Sequence, residues 1–242
     1  MVERWISMNI DNVNSNSSLH MQEDIIIDWT KQKPYDFASN FAQWRKQKGK
    51  TDKKSSFTEL CTKYNNLLKK EYPNGANVSQ KFIDAAFNIS GNIGTRKNKT
   101  IHCNVNDLLA IIYNESRFDA KLCSKDGKYA GIFQIDKTTY NSIFKNYKCS
   151  YEQFKKLPRE KQLLFAQDYL KYRIKTAGKG LDKYIDNNGN INGGALYALI
   201  WRPGDFETKS DSDISKNVKR KLAVITKVKN KLNSEQSFDK KA

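Results

Sequence analysis

The constraint that most narrows the fold is a spacing: from Phe57 onward, apolar residues return at steps of three and four, with turn-forming residues between the runs. Leu60, Tyr64, Leu67 and Leu68 share one face of a helix that Tyr72-Pro73-Asn74-Gly75 ends with turn chemistry. Ser79 precedes Phe82, Ile83, Ala86 and Phe87 at the same spacing and predicts a second helix, broken by Ser90-Gly91-Asn92-Ile93-Gly94 and the basic Arg96-Lys97-Asn98-Lys99. This loop lacks the G-x-x-x-x-G-K-[ST] spacing of a phosphate cradle and reads as a flexible surface loop. Asn106 caps a third helix, with Asp107 at its positive end, running through Leu108, Leu109, Ile111, Ile112 and Tyr113 to near Arg117.

Ile132-Phe133-Gln134-Ile135 is an apolar burst too short for its period to separate helix from strand. Pro158 suits the first turn of a clearer helix whose face of Leu163, Leu164, Ala166, Tyr169, Leu170 and Ile174 extends towards Gly178. Ala195–Trp201 is another buried segment, ended by Pro203-Gly204. After Asp205, Ile214, Val218, Leu222, Ile225, Val228 and Leu232 form the apolar stripe of a basic helix carrying Lys216, Lys219, Arg220, Lys221, Lys227, Lys229 and Lys231. Its ordinary reading is a helix packed on the domain with solvated lysines; the alternative is a surface for a virion or envelope partner. The predicted fold class is mainly α, without a large sheet or internal repeat. Residues 1–56, with a polar Asn12–Ser18 stretch, an apolar Ile25–Trp29 run and a Lys-rich Lys46–Lys54, read as an appendage and linker. The main domain is expected at 57–205, and a basic amphipathic helix with a fraying tail at 206–242.

The chain's 43 Lys+Arg exceed its 26 Asp+Glu, and the resulting charge of +17 favours an anionic partner: nucleic acid, acidic lipid or an acidic cell-wall polymer. The basic residues are not interleaved with a nucleic-acid motif, so no specific nucleic acid is predicted, although a non-catalytic basic virion or nucleic-acid-binding protein remains the competing class. Cys61, Cys103, Cys123 and Cys149 lack paired C-x-x-C spacing, and His20 and His102 are the only histidines, so neither a metal nor a cofactor is expected. No run of about 18 apolar residues is present, and the first thirty residues lack a signal-like apolar segment; neither a membrane span nor a secretory signal is expected.

The informative pair is Glu115-Ser116, ending an apolar helix, and Gly131-Ile132-Phe133-Gln134 downstream. A carboxyl beside a helix C-terminus and among apolar neighbours resists ionisation, keeping a proton that it can give to a glycosidic oxygen. Gln134 offers a neutral donor and acceptor for a sugar, Gly131 lets backbone and ligand approach closely, and Tyr129 is an aromatic for a sugar face or for closing the core. Asp119, Asp126 and Asp136 are the nearby candidates for a second carboxylate, should water be the nucleophile.

These residues resemble the lysozyme-like soluble lytic transglycosylases, which carry a helix-ending Glu-Ser, a Gly-rich turn and a Gly-Leu-(Met/Phe)-Gln segment. Leu157–Leu163, Tyr169-Leu170 and Leu196–Gly204 resemble the later helices of phage-type members, so the likeness spans about residues 57–205. It implies a lysozyme-like fold, peptidoglycan glycan strands as substrate, and Glu115 as catalytic acid and then base at the MurNAc–GlcNAc β-1,4 bond, with a 1,6-anhydro product. By the same likeness, Ser116 and Gln134 line the sugar site, Gly131 belongs to the turn and Tyr197 positions Glu115. A hydrolytic muramidase on this fold is the alternative. Lys128-Tyr129 stands where the family has Gly-Ala, and Ala198 follows Tyr197 where bacterial members have Asn. Positive charge and no export signal fit a virion-associated protein or one otherwise delivered to the bacterial envelope.

Overall fold

The computed structural model describes residues 53–73, 75 and 77–234. The expected appendage up to residue 52, with its Ile25–Trp29 run, and the tail beyond Ser234 lie outside the described residues. Helix α1 (Lys53–Glu71) begins earlier than Phe57, so Lys53 and Lys54 belong to a helix rather than to a linker. It buries Tyr64, Leu67 and Leu68 and stops before Pro73, which has no amide hydrogen to continue it. Helix α2 (Gln80–Ser90) starts at the expected cap: the Ser79 side chain accepts the Phe82 N–H at 3.1 Å.

The basic loop that follows is ordered, contrary to its reading as a flexible segment. Strands β1 (Gly94–Arg96) and β2 (Lys99–Ile101) pair antiparallel across Lys97 and Asn98, both left-handed at φ 49° and 60°, as a tight two-residue turn requires. Arg96 donates to Ile174 O at 3.0 Å, Ala177 O at 2.9 Å and Gly178 O at 2.8 Å, and pairs with Asp182. Its cationic fork thus satisfies carbonyls that a helix end would otherwise leave open.

Helix α3 (Val105–Ser116) is the central element, with Leu108 through Tyr113 buried. Its cap is Asn104, accepting Asn106 N–H at 2.8 Å, so Asn106 falls inside the first turn. The apolar burst at Ile132–Ile135 is neither a helix nor a long strand: β3 (Tyr129–Ala130) and β4 (Ile135–Asp136) pair antiparallel, with the rest forming their connection. Helices α4 (Lys137–Ile143) and α5 (Tyr151–Phe154) join α6 (Arg159–Thr176) around Tyr140, Phe144, Phe154 and Phe165; the Tyr140 and Phe154 centroids are 5.0 Å apart. Pro158 is the residue before α6 rather than its first helical position.

A 3-10 helix (Lys179–Tyr184) leads to α7 (Gly193–Trp201), α8 (Asp205–Thr208) and α9 (Asp211–Ser234). Helix α7 is apolar on all sides and buried up to Ile200, as befits a helix surrounded by others. A side chain at Gly194 would strike the Val218 carbonyl, so this glycine lets the α7 and α9 backbones meet. Helix α9 packs on α7, α3 and α1. Its ties are Lys229 to Asp107 at 2.9 Å and Lys231 to Glu71. Ile214, Val218, Ile225, Val228 and Leu232 share one core with Leu108 and Leu196.

One position of that stripe differs from expectation. Leu222 is 37% exposed, whereas Lys221 is only 9% exposed and faces inward between Val218 and Ile225. The apolar stem of a lysine can fill such a place while its ammonium seeks polar or aromatic company. None of the described helices is long and apolar enough to cross a membrane.

Candidate active site

Glu115 lies on the last turn of α3, where the backbone turns sharply. Arg117 and Phe118 both take left-handed φ values, 54° and 61°, and Arg117 closes the helix with its own side chain. The guanidinium donates to Tyr113 O, to Asn114 O at 3.0 Å and, through Nε, to the Tyr72 hydroxyl at 2.8 Å. Helix-end carbonyls that would repel a carboxylate are thereby met by a cation.

The decisive contacts come from α7. Tyr197, itself buried, donates its hydroxyl proton to Glu115 Oε1, while Asn114 Nδ2 donates to the same phenolic oxygen. A relay of Asn114, Tyr197 and Glu115 results, fixing one carboxyl oxygen and leaving Oε2 for other chemistry. Burial pushes the Glu115 carboxyl above its ordinary value; the Tyr197 hydroxyl and the cations Lys221 and Arg117 pull it back in part. Burial, reinforced by the neighbouring carboxylate, also raises Tyr197, which therefore stays a neutral donor.

Ser116 and Gly131–Gln134 are joined to this group through the backbone. The buried Ser116 hydroxyl is shared between Ile112 O and Ile132 O, each at 3.1 Å, tying the end of α3 to the β3–β4 connection. Gln134 has φ 48° and is 9% exposed; its Nε2 donates to Leu122 O at 3.0 Å and Gly131 O at 2.8 Å. Those two bonds orient the amide so that Oε1 is a buried acceptor without a protein partner.

Gly131 has φ 77°, and a side chain there would come within 2.5 Å of Gln162 Oε1. What approaches this glycine is therefore Gln162 rather than open space for a ligand. Gln162 is buried and complete in its bonding: Oε1 accepts Ile132 N–H at 3.0 Å, and Nε2 reaches Ala120 O, Phe154 O and Leu157 O at 2.8, 3.1 and 3.2 Å. Tyr129 is half-buried in β3 with Lys128 over its ring at 5.2 Å. Among the described residues, no hydrogen bond or ring contact joins it to Glu115, Tyr197 or Gln134.

Each candidate second carboxylate serves its own backbone. Asp119 accepts Lys121 N–H at 2.8 Å, Asp126 accepts Lys128 N–H at 3.1 Å and the Ser124 hydroxyl, and Asp136 caps α4 through Thr139 N–H at 2.8 Å. Two surface depressions, along Lys219–Ser234 and around Tyr140–Gln153, do not include Glu115, so the site is defined by its hydrogen-bond relay rather than by these hollows. Among the described residues no group of three or more His, Cys, Asp or Glu could hold a metal ion.

Sequence reading did not single out Asn114, Gln162 or Arg117, and it placed Lys221 among solvated lysines. Asn114 and Gln162 left one trace, an amide set among apolar helical neighbours. Lys221 left only its phase, since it sits three residues after Val218 and four before Ile225.

Residues 93–197, which hold Glu115, Ser116, Gly131, Gln134 and Tyr197, match the family model described as the transglycosylase SLT domain. Comparison with curated proteins and with solved structures finds no match. The matched stretch spans the relay from α3 to α7 and the intervening hairpin. Residues 93–197 therefore carry a transglycosylase SLT domain, the lysozyme-like domain of peptidoglycan lytic transglycosylases.

Proposed function

We propose that Glu115 is the single catalytic carboxyl, cleaving the MurNAc–GlcNAc β-1,4 bond with formation of a 1,6-anhydro ring. The carrying observation is the Tyr197 hydroxyl bond to Oε1 of a carboxyl whose proton affinity burial has raised. Oε1 is an acceptor in that bond, so the acid proton resides on Oε2. From there it passes to the GlcNAc O4 as the bond from MurNAc C1 breaks. The resulting carboxylate removes the proton of the MurNAc C6 hydroxyl, and O6 closes on C1. The proton returns to Glu115, and no water is consumed.

Gln134 supports this reading because its unpartnered Oε1 is an acceptor for a sugar N–H or O–H, and binding would relieve the cost of an unmet buried group. Ser116 and Gly131 would serve the substrate indirectly, by holding the connection that carries Gln134. The local engagement of Asp119, Asp126 and Asp136 favours one carboxyl over the two that hydrolysis uses. The +17 charge suits approach to anionic wall polymers, and we place the enzyme's work at the bacterial envelope.

Mass analysis of purified peptidoglycan after digestion tests the chemistry. The expected muropeptides are lighter by one water than hydrolytic products. Reducing muramic ends in their place would make the enzyme a muramidase.

A further inference from the structure

Helix α9 brings a charge to the site that the family match, ending at residue 197, does not include. Lys221 Nζ lies 4.1 Å from the Tyr197 ring centroid and 3.9 Å from that of Trp201, so it sits over the ring whose hydroxyl holds Glu115. Such placement is the geometry of a cation on aromatic faces, which offset part of the hydration the ammonium loses. Trp201 also receives Arg202 at 4.3 Å and Arg220 at 5.1 Å. Three cations around one indole repel one another, and ionised Glu115 offsets that repulsion at Lys221.

We propose that Lys221 is a positioning residue of the active site, its ammonium setting the charge balance of Glu115 and so the pH range over which that carboxyl acts. This rests on the reading of Glu115 as the catalytic acid. The charged and titratable groups that act electrostatically on one or other of the pair are Arg117 from the end of α3, the Tyr197 hydroxyl from α7, Arg202 just after it, Arg220 from α9 and Tyr169 from α6, whose hydroxyl donates to Ile200 O. From α1, Glu71 is already engaged by Lys231 and Tyr113.

Burial, with Arg220 and Arg202, brings the Lys221 ammonium down to about 8, while Glu115 pulls it back up. Protonated Lys221 in turn favours the carboxylate of Glu115, which forms as the proton leaves for the glycosidic oxygen. Without that charge Glu115 holds its proton more tightly. The acid then persists to higher pH but is a poorer donor, and the carboxylate needed for ring closure is less stable.

The test is the pH profile of kcat/KM on soluble glycan strands, whose alkaline limb reports loss of the acid's proton in the free enzyme. In Lys221→Met the limb is expected to move up by about one pH unit, with a plateau about tenfold lower. Lys221→Arg, which keeps the charge, should hold the limb near wild type. An unmoved limb in a folded Lys221→Met enzyme, or equal shifts in both variants, overturns the proposal. A second measurement needs no variant: the Glu115 carboxyl 13C signal of the wild-type enzyme should show a further step near pH 8 as Lys221 loses its proton. A signal that titrates in one step only, with none near pH 8, also overturns it. Wild-type activity in Glu115→Gln would instead sink the functional reading, leaving the coupling of the two charges to stand.

Discussion

Glu115→Gln is expected to slow wall clearing by about a thousandfold while leaving the fold intact. Glutamine preserves the shape and can accept the Tyr197 hydroxyl bond as the carboxyl does, but it has no proton to give to a leaving sugar. Stability supplies an internal control with a definite sign. Folding raises the Glu115 carboxyl, so the native state binds that proton more tightly than the unfolded chain does. The contribution is present at low pH and is lost as pH rises from the unfolded carboxyl range through the raised folded value. Urea midpoints should therefore favour the glutamine variant more at pH 8 than at pH 4. Clearing at the wild-type rate by a folded Glu115→Gln enzyme would remove the carboxyl from the mechanism.

Gln162→Leu should destabilise the protein by about 4 kcal/mol. Leucine is near in size but strands three buried partners, the Ile132 N–H and the carbonyls of Ala120 and Leu157, while the Phe154 carbonyl keeps the Leu157 N–H at 3.0 Å. Activity of the folded fraction should also fall, because Ile132 is where Ser116 ties α3 to the connection that carries Gln134. Urea unfolding gives the first quantity, and clearing per mole of folded enzyme the second. A loss under 1 kcal/mol would mean that the partners of Gln162 are satisfied without it.

Helix α3 and the helix after Pro158 were legible because an apolar face at three- and four-residue steps leaves few ways to exclude water. Glu115-Ser116 and the Gly131–Gln134 segment were legible as chemistry types in a familiar order. Contacts between distant elements were not. Arg96 reads as loop charge and turns out to close α6, since its partners lie some eighty positions on. Lys221 reads as solvent-facing because its type outweighs its phase; only Tyr197 and Trp201, brought over by Gly194, make an inward lysine tolerable. Asn114 precedes the acid directly, and a neighbour on a helix ordinarily looks elsewhere. It reaches the site only because the Tyr197 hydroxyl stands between the two side chains.

The seam between α7 and α9 also bears on how such a module can be borrowed. Cutting the chain where the family likeness stops, at Tyr197, would sever α7 before its final turn and strip the cover from Leu108 and Leu196. The portable piece reaches at least to Leu232, the last residue of α9 within the shared core. A fusion or transplant that kept only the recognisable stretch would carry the acid without the scaffold that governs it.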